Sequence, residues 1–190
     1  FFLKAESYCN FDFPPYITFG SLLAEVDVFL TGKKLSGLGE KPKDFEGVNY
    51  VLLNNKDGKY AWRPMQLIHP AVYVSLVHAI TSEDKWQFIT EKFSEFSADT
   101  KIKCLSLPVE SLSDEKDKAE QIAIWWQQVE LKSIELSLDY QYLIQTDISD
   151  CYGSIYTHSV AWALHTKAEA KKIKNKGNMN FVGSVIDWHL

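Results

Sequence analysis

An α+β fold is what the sequence predicts, on three observations. Apolar residues recur at helical spacing in several stretches. An Asp57-Gly58 turn signal separates two strand-like runs. A late apolar run, Leu143-Ile144, leads into Asp147 where a strand would end in a core. A chain of 190 residues with 46% hydrophobic and 24% charged residues has the composition of one large packed domain or two small ones.

The elements follow in order. Pro14-Pro15 makes a rigid turn, and the stripe Phe19, Leu22, Leu23, Val26, Phe29, Leu30 predicts a helix with one packed face. The segment "TGKKLSGLGEKPKD" reads as an exposed loop. Tyr50 to Leu53 are strand-like, and Gly58 accepts the positive φ of a tight hairpin turn. The return strand is expected over Lys59 to Leu67, with Tyr60 and Trp62 on one face and Lys59, Ala61 and Arg63 on the other. Pro64 cannot donate to a ladder, so this strand is an edge or ends there. Pro70 suits the first turn of the helix "AVYVSLVHAI".

Thr81 and Asp84 have capping-box spacing ahead of a helix with the stripe Trp86, Ile89, Phe93, Phe96. "KIKCLSLPV" reads as a short strand. A long helix is expected from about Asp114 to Leu138, capped by Ser113, with Ala119, Ile122, Trp125, Trp126 and Val129 on its apolar stripe. The adjacent Trp125 and Trp126 are either both buried between helices or split, one facing a partner. "DYQYLIQTDIS" then returns to strand character.

Composition narrows the function classes. A net charge of −5 argues against a simple basic nucleic-acid coat, although Lys167 to Lys176 holds five Lys and one Glu. That run is either a solvated face or a phosphate-tracking surface. No apolar run approaches the length of a membrane span. Three well-separated cysteines, Cys9, Cys104 and Cys151, make no disulfide framework and favour a reducing, cytoplasmic location. His158 and His165 can share a helix face but lack metal-ligand spacing. Both ends look internal: there is no initiator Met or signal-peptide pattern, and "GSVIDWHL" stops within an apolar pattern.

A carboxylate at the end of a core strand is costly unless compensated. Asp147 or Asp150 either caps the turn into the next helix or joins other carboxylates on a divalent ion. "TDISDCYGSIYTHSVAWALH" resembles motif A of reverse transcriptases: an Asp at a strand end, a hydrophobic residue after it, and an aromatic five residues on. "SIYTHS" and "WALH" are similar to the abortive-infection, defence-associated branch of the bacterial enzymes. "AESYCNFDFPPYITF" resembles that branch's opening segment, and "DGKYAWRPMQLIHPAVYVSL" resembles its fingers.

The resemblance implies reverse-transcriptase-like fingers, helices plus a β-hairpin, over residues 1–140, and the first strand and helix of a palm over 141–190. It implies RNA-directed DNA polymerisation by two-metal phosphoryl transfer in anti-phage defence, with two Mg²⁺ ions, or Mn²⁺ in their place. Asp147 would hold both ions and the Ile148 carbonyl one of them. Tyr152 would lie under the incoming sugar and select deoxynucleotides; its alternative is core packing. Arg63, with Lys59 assisting, would contact the triphosphate; their alternative is a solvated strand edge. Lys167, Lys171 and Lys172 would track an RNA template or an associated non-coding RNA. The implied partners are dNTPs, RNA, the DNA product and further copies of the chain in a homo-oligomer, with no membrane. One departure stands out: the second acidic motif, Tyr-x-Asp-Asp, does not occur, and Asp187 is no substitute because it sits in a helix-like pattern with Val182, Val185 and Ile186. The 190 residues alone are therefore expected to be inactive. A rival reading, resting on the six Trp, is a non-catalytic α/β module that binds a protein or RNA.

Overall fold

The computed structural model describes residues 3, 8–9, 13–35, 45–55, 58–59, 61–99, 101–102, 104, 118–174 and 181–189. The fold is α+β, with helices and one two-stranded antiparallel sheet among the described residues. The chain forms two compact units, one of residues 1–90 with 155–190 and one of residues 91–154. Among the described residues, no helix is long and apolar enough to cross a membrane.

The first unit is built on helix α1, Gly20–Leu30, and helix α2, Pro70–Ile80, which pack on each other. Leu23, Leu30 and Val74 are fully enclosed and meet Tyr8, whose hydroxyl donates to the Ile68 carbonyl. The Tyr8 ring meets Phe19 and Tyr73 edge-on at 5.2 and 5.0 Å between centroids. Only part of the expected α1 stripe is covered: Leu22 and Phe29 face solvent. Pro70 opens α2 as expected, and the Ala71 N–H donates to the His69 ring, which caps the helix.

Between α1 and α2 lie strands β1, Tyr50–Asn55, and β2, Trp62–Leu67. Their register pairs Leu53 with Pro64 and Asn54 with Arg63. Among the described residues each strand pairs on one side alone, so Pro64 lies in an edge strand, as expected. Gly58 takes φ +76° in the turn, and its N–H donates to Asn55 Oδ1 at 2.7 Å. β2 is shorter than expected: Lys59 sits in the turn outside the ladder, and Tyr60 and Asp57 lie outside the described residues.

Helix α3, Glu83–Ser97, follows. The expected capping box is replaced by a different use of Thr81, whose hydroxyl donates to Val77 O at 2.7 Å and closes α2. Of the α3 stripe only Ile89 is buried. The second unit takes the end of α3, helix α4, Lys118–Asp139, and the short helix α5, Cys151–Ser154. The cap expected at Ser113 lies outside the described residues, as does most of the strand expected at "KIKCLSLPV"; Lys101, Ile102 and Cys104 are not in a strand. The α4 stripe is exposed at Ile122, Trp125 and Trp126, so burial of both Trp between helices does not occur. No other described element of this unit covers that face.

The remaining helices belong to the first unit: α6, His158–Leu164; α7, Lys167–Lys174; and α8, Val182–His189. α8 packs on α2 and α6. Gly183 makes the α6 crossing feasible, because a Cβ there would sit 2.7 Å from the Ala161 Cα.

Candidate functional site

The site expected at Asp147 differs from its prediction in one important respect. Residues 140–148 form no strand, and every one of them is exposed, including Leu143 at 83% and Ile144 at 89%. A strand exists only when a neighbour accepts its backbone hydrogen bonds. Among the described residues, the only paired strands are β1 and β2, which pair with each other. The expected sheet rim that would anchor Asp147 is therefore absent from them.

Asp147 itself is exposed, and its Oδ1 accepts a 2.8 Å hydrogen bond from the Ile148 N–H. Among the described residues no cation lies within ion-pair distance of it. Neither Asp147 nor Asp150 is neutralised by an arginine there. Asp150 takes φ +49°, a left-handed conformation that Asp tolerates better than most residues. Its carboxylate lies over Gly153, where a Cβ would meet Oδ2 at 2.2 Å. Asp150 thus shapes the turn into α5. Tyr152 falls in α5, and its side chain lies outside the described residues.

The described residues do not complete a metal centre. Among them no three His, Cys, Asp or Glu side chains converge on one point. Asp147 and the Ile148 carbonyl are fewer oxygen donors than two divalent ions need.

The other predicted residues belong to the first unit. Arg63 lies in β2 opposite Asn54 and is exposed. Lys59 is exposed in the turn, so strand alternation does not put it on the Arg63 face. Lys167 opens α7, with its ammonium 4.7 Å from the centre of the Trp162 ring. Lys171 and Lys172 are exposed on the same helix, while Ala170 is buried beneath. Lys167, Lys171 and Lys172 thus lie on the exposed side of α7.

Contacts that sequence reasoning missed lie in the same unit. His158 Nδ1–H donates to Asp187 Oδ1 at 2.6 Å, and the Thr157 hydroxyl donates to the same oxygen at 3.0 Å. Asp187 therefore clasps the start of α6 to α8. His165 accepts from the Gly183 N–H at 3.3 Å and stacks between Phe88 and Phe181. His158 and His165 thus serve packing between α6 and α8. The sequence signal was an acid in an otherwise apolar helix, which calls for a buried polar partner; its identity was not readable across 29 residues.

Comparison with models of known protein families gives no match, and comparison with curated proteins gives none either.

Proposed function

We propose that the chain supplies the fingers and the beginning of the palm of a reverse transcriptase acting in anti-phage defence. The observation that carries the proposal is the resemblance of the segment around Asp147 and Tyr152 to motif A; the exposure of Asp147, with no strand beneath it among the described residues, counts against the reading. On this reading Leu143 and Ile144 are strand residues awaiting their sheet, whose other strands and remaining acidic ligands come from beyond residue 190. Asp147 contributes one carboxylate to the ion site. Arg63, exposed on the hairpin, binds triphosphate through paired donors. Lys167, Lys171 and Lys172 meet RNA phosphates, an interaction that weakens as salt rises.

The test is incorporation of labelled dNTP, with Mg²⁺ or Mn²⁺, by a polypeptide that includes the sequence following Leu190. Asp147→Ala is expected to abolish incorporation. Equal incorporation by the variant removes Asp147 from the chemistry.

A second reading is favoured by a specific observation. Along α4, Trp126 is 54% exposed, and Ile122, four residues earlier on the same face, is exposed too. Such a surface suits a non-catalytic module that binds a protein or RNA partner. A stop codon directly after Leu190 favours this reading, and a Tyr-x-Asp-Asp tetrad further on favours the polymerase.

A further inference from the structure

The first unit contains a cavity of about 190 Å³. Its apolar wall is Leu35, Ala79, Val185 and Trp188. Lys33 and Lys34, just past α1, and Lys85 on α3 also line it. So do Ser75, His78 and His189.

The polar groups of α2 and α8 in this cavity are already ordered. His189 Nδ1 lies 2.7 Å from the Val185 carbonyl, which can only accept, so Nδ1 carries a proton. In the neutral ring Nε2 is then an acceptor, and Ser75 Oγ, 2.9 Å away, donates to it. The Ser75 oxygen keeps its lone pairs. His78 Nε2 donates to Asp27 Oδ1 at 2.5 Å. That pairing ties α1 to α2 and leaves one Asp27 oxygen outside this contact.

The lysines are not compensated in this way. Among the described residues no carboxylate lies within ion-pair distance of Lys33, Lys34 or Lys85. Lys33 holds its ammonium over the exposed Phe29 ring at 4.2 Å, outside the cavity lining, and Lys34 follows it in the chain. Lys33 and Lys34 are exposed and Lys85 is half-buried, so the positive charges stand at the side of an apolar-walled recess and favour an anion there. A ligand carrying several negative charges on compact oxygens matches those charges. Lysine suits phosphate as a point charge without demanding planar geometry. The space is somewhat larger than the roughly 150 Å³ cavity that takes a benzene ring, and Trp188 offers an apolar face to a ring.

We infer that this cavity is a binding site for a small phosphate-bearing ligand, a diphosphate or a phosphorylated single ring. It uses none of the residues assigned to polymerisation, and it stands or falls separately from that assignment.

Inorganic pyrophosphate is the probe, titrated calorimetrically into the 190-residue chain at low salt. Saturable binding at one site per chain is expected, weakening as salt screens the lysines. Lys34→Glu with Lys85→Glu is expected to weaken binding by about tenfold or more, while Lys101→Glu, far along the sequence on an exposed residue, leaves it unchanged. The milder pair Lys34→Gln with Lys85→Gln guards against misfolding, and an unchanged circular dichroism spectrum with weaker binding supports the site. Absence of saturable binding by the unaltered chain overturns the inference. So does binding that both lysine pairs leave intact. Citrate binding as tightly as pyrophosphate overturns the phosphate assignment.

Discussion

The two compact units use the same kind of sequence and reach opposite results. In the first, apolar residues spaced at helical intervals on α1 and α2 close a core around Leu23, Leu30 and Val74, and α8 packs on α2. In the second, α4 carries a comparable stripe over 22 residues and leaves it in solvent. Periodicity makes a helix amphipathic; burial needs a second element to lie against. The contrast also separates two kinds of exposed residue. Arg63 and Lys171 are charged and at home in water, whereas Trp126, Leu143 and Ile144 present apolar surface at a cost.

The comparison can be broken most sharply by hydrogen exchange. Backbone amides in the middle of α2 should be protected by orders of magnitude more than those in the middle of α4; equal protection would mean that α4 is covered. Mutational stability gives the next largest contrast. Leu23→Ala should cost about 2–5 kcal/mol in chemical denaturation, while Leu131→Ala on α4, 66% exposed, should stay within about 0.5 kcal/mol. Gly183→Ala comes next, at about 1–3 kcal/mol, because its Cβ would press on the Ala161 backbone and force α6 and α8 apart.

The smallest effect concerns acidity. Burial holds His189 below its ordinary value of 6.5, with the Val185 carbonyl opposing in part. The unfolded chain therefore takes up this proton first as pH falls. The stability contribution is complete above about pH 6.5 and declines below it, until the folded-state imidazole also protonates. His189→Gln should flatten that part of a stability-against-pH curve; an unchanged slope would assign it to other groups.

Much of the helix layout was legible in the sequence, because Pro70, the Gly58 turn and the apolar spacings act locally. What was not legible is non-local. Thr81 has the spacing of a helix-opening cap, yet its hydroxyl reaches back to Val77. A cap would use the hydroxyl oxygen as an acceptor, the observed bond uses its O–H as a donor, and only the fold chooses between them. Lys59 was assigned a strand face that depends on where the ladder starts, and the ladder starts at Trp62. "DYQYLIQTDIS" has strand composition, but no described strand pairs with it. Of the candidate site, the residue types around Asp147 were readable and its exposure was not. Ser75 and His189 lie 114 residues apart, and nothing in either neighbourhood announces the other.

The first unit is assembled from both ends of the chain, with residues 91–154 between them. During synthesis, α1 and α2 emerge from the ribosome long before α8, the helix that packs on α2 and closes the Gly183 crossing. A nascent polypeptide must leave the α2 face that α8 covers open until α8 is translated. Chains stalled or cleaved before residue 181 should thus be the ones that chaperones and proteases find first.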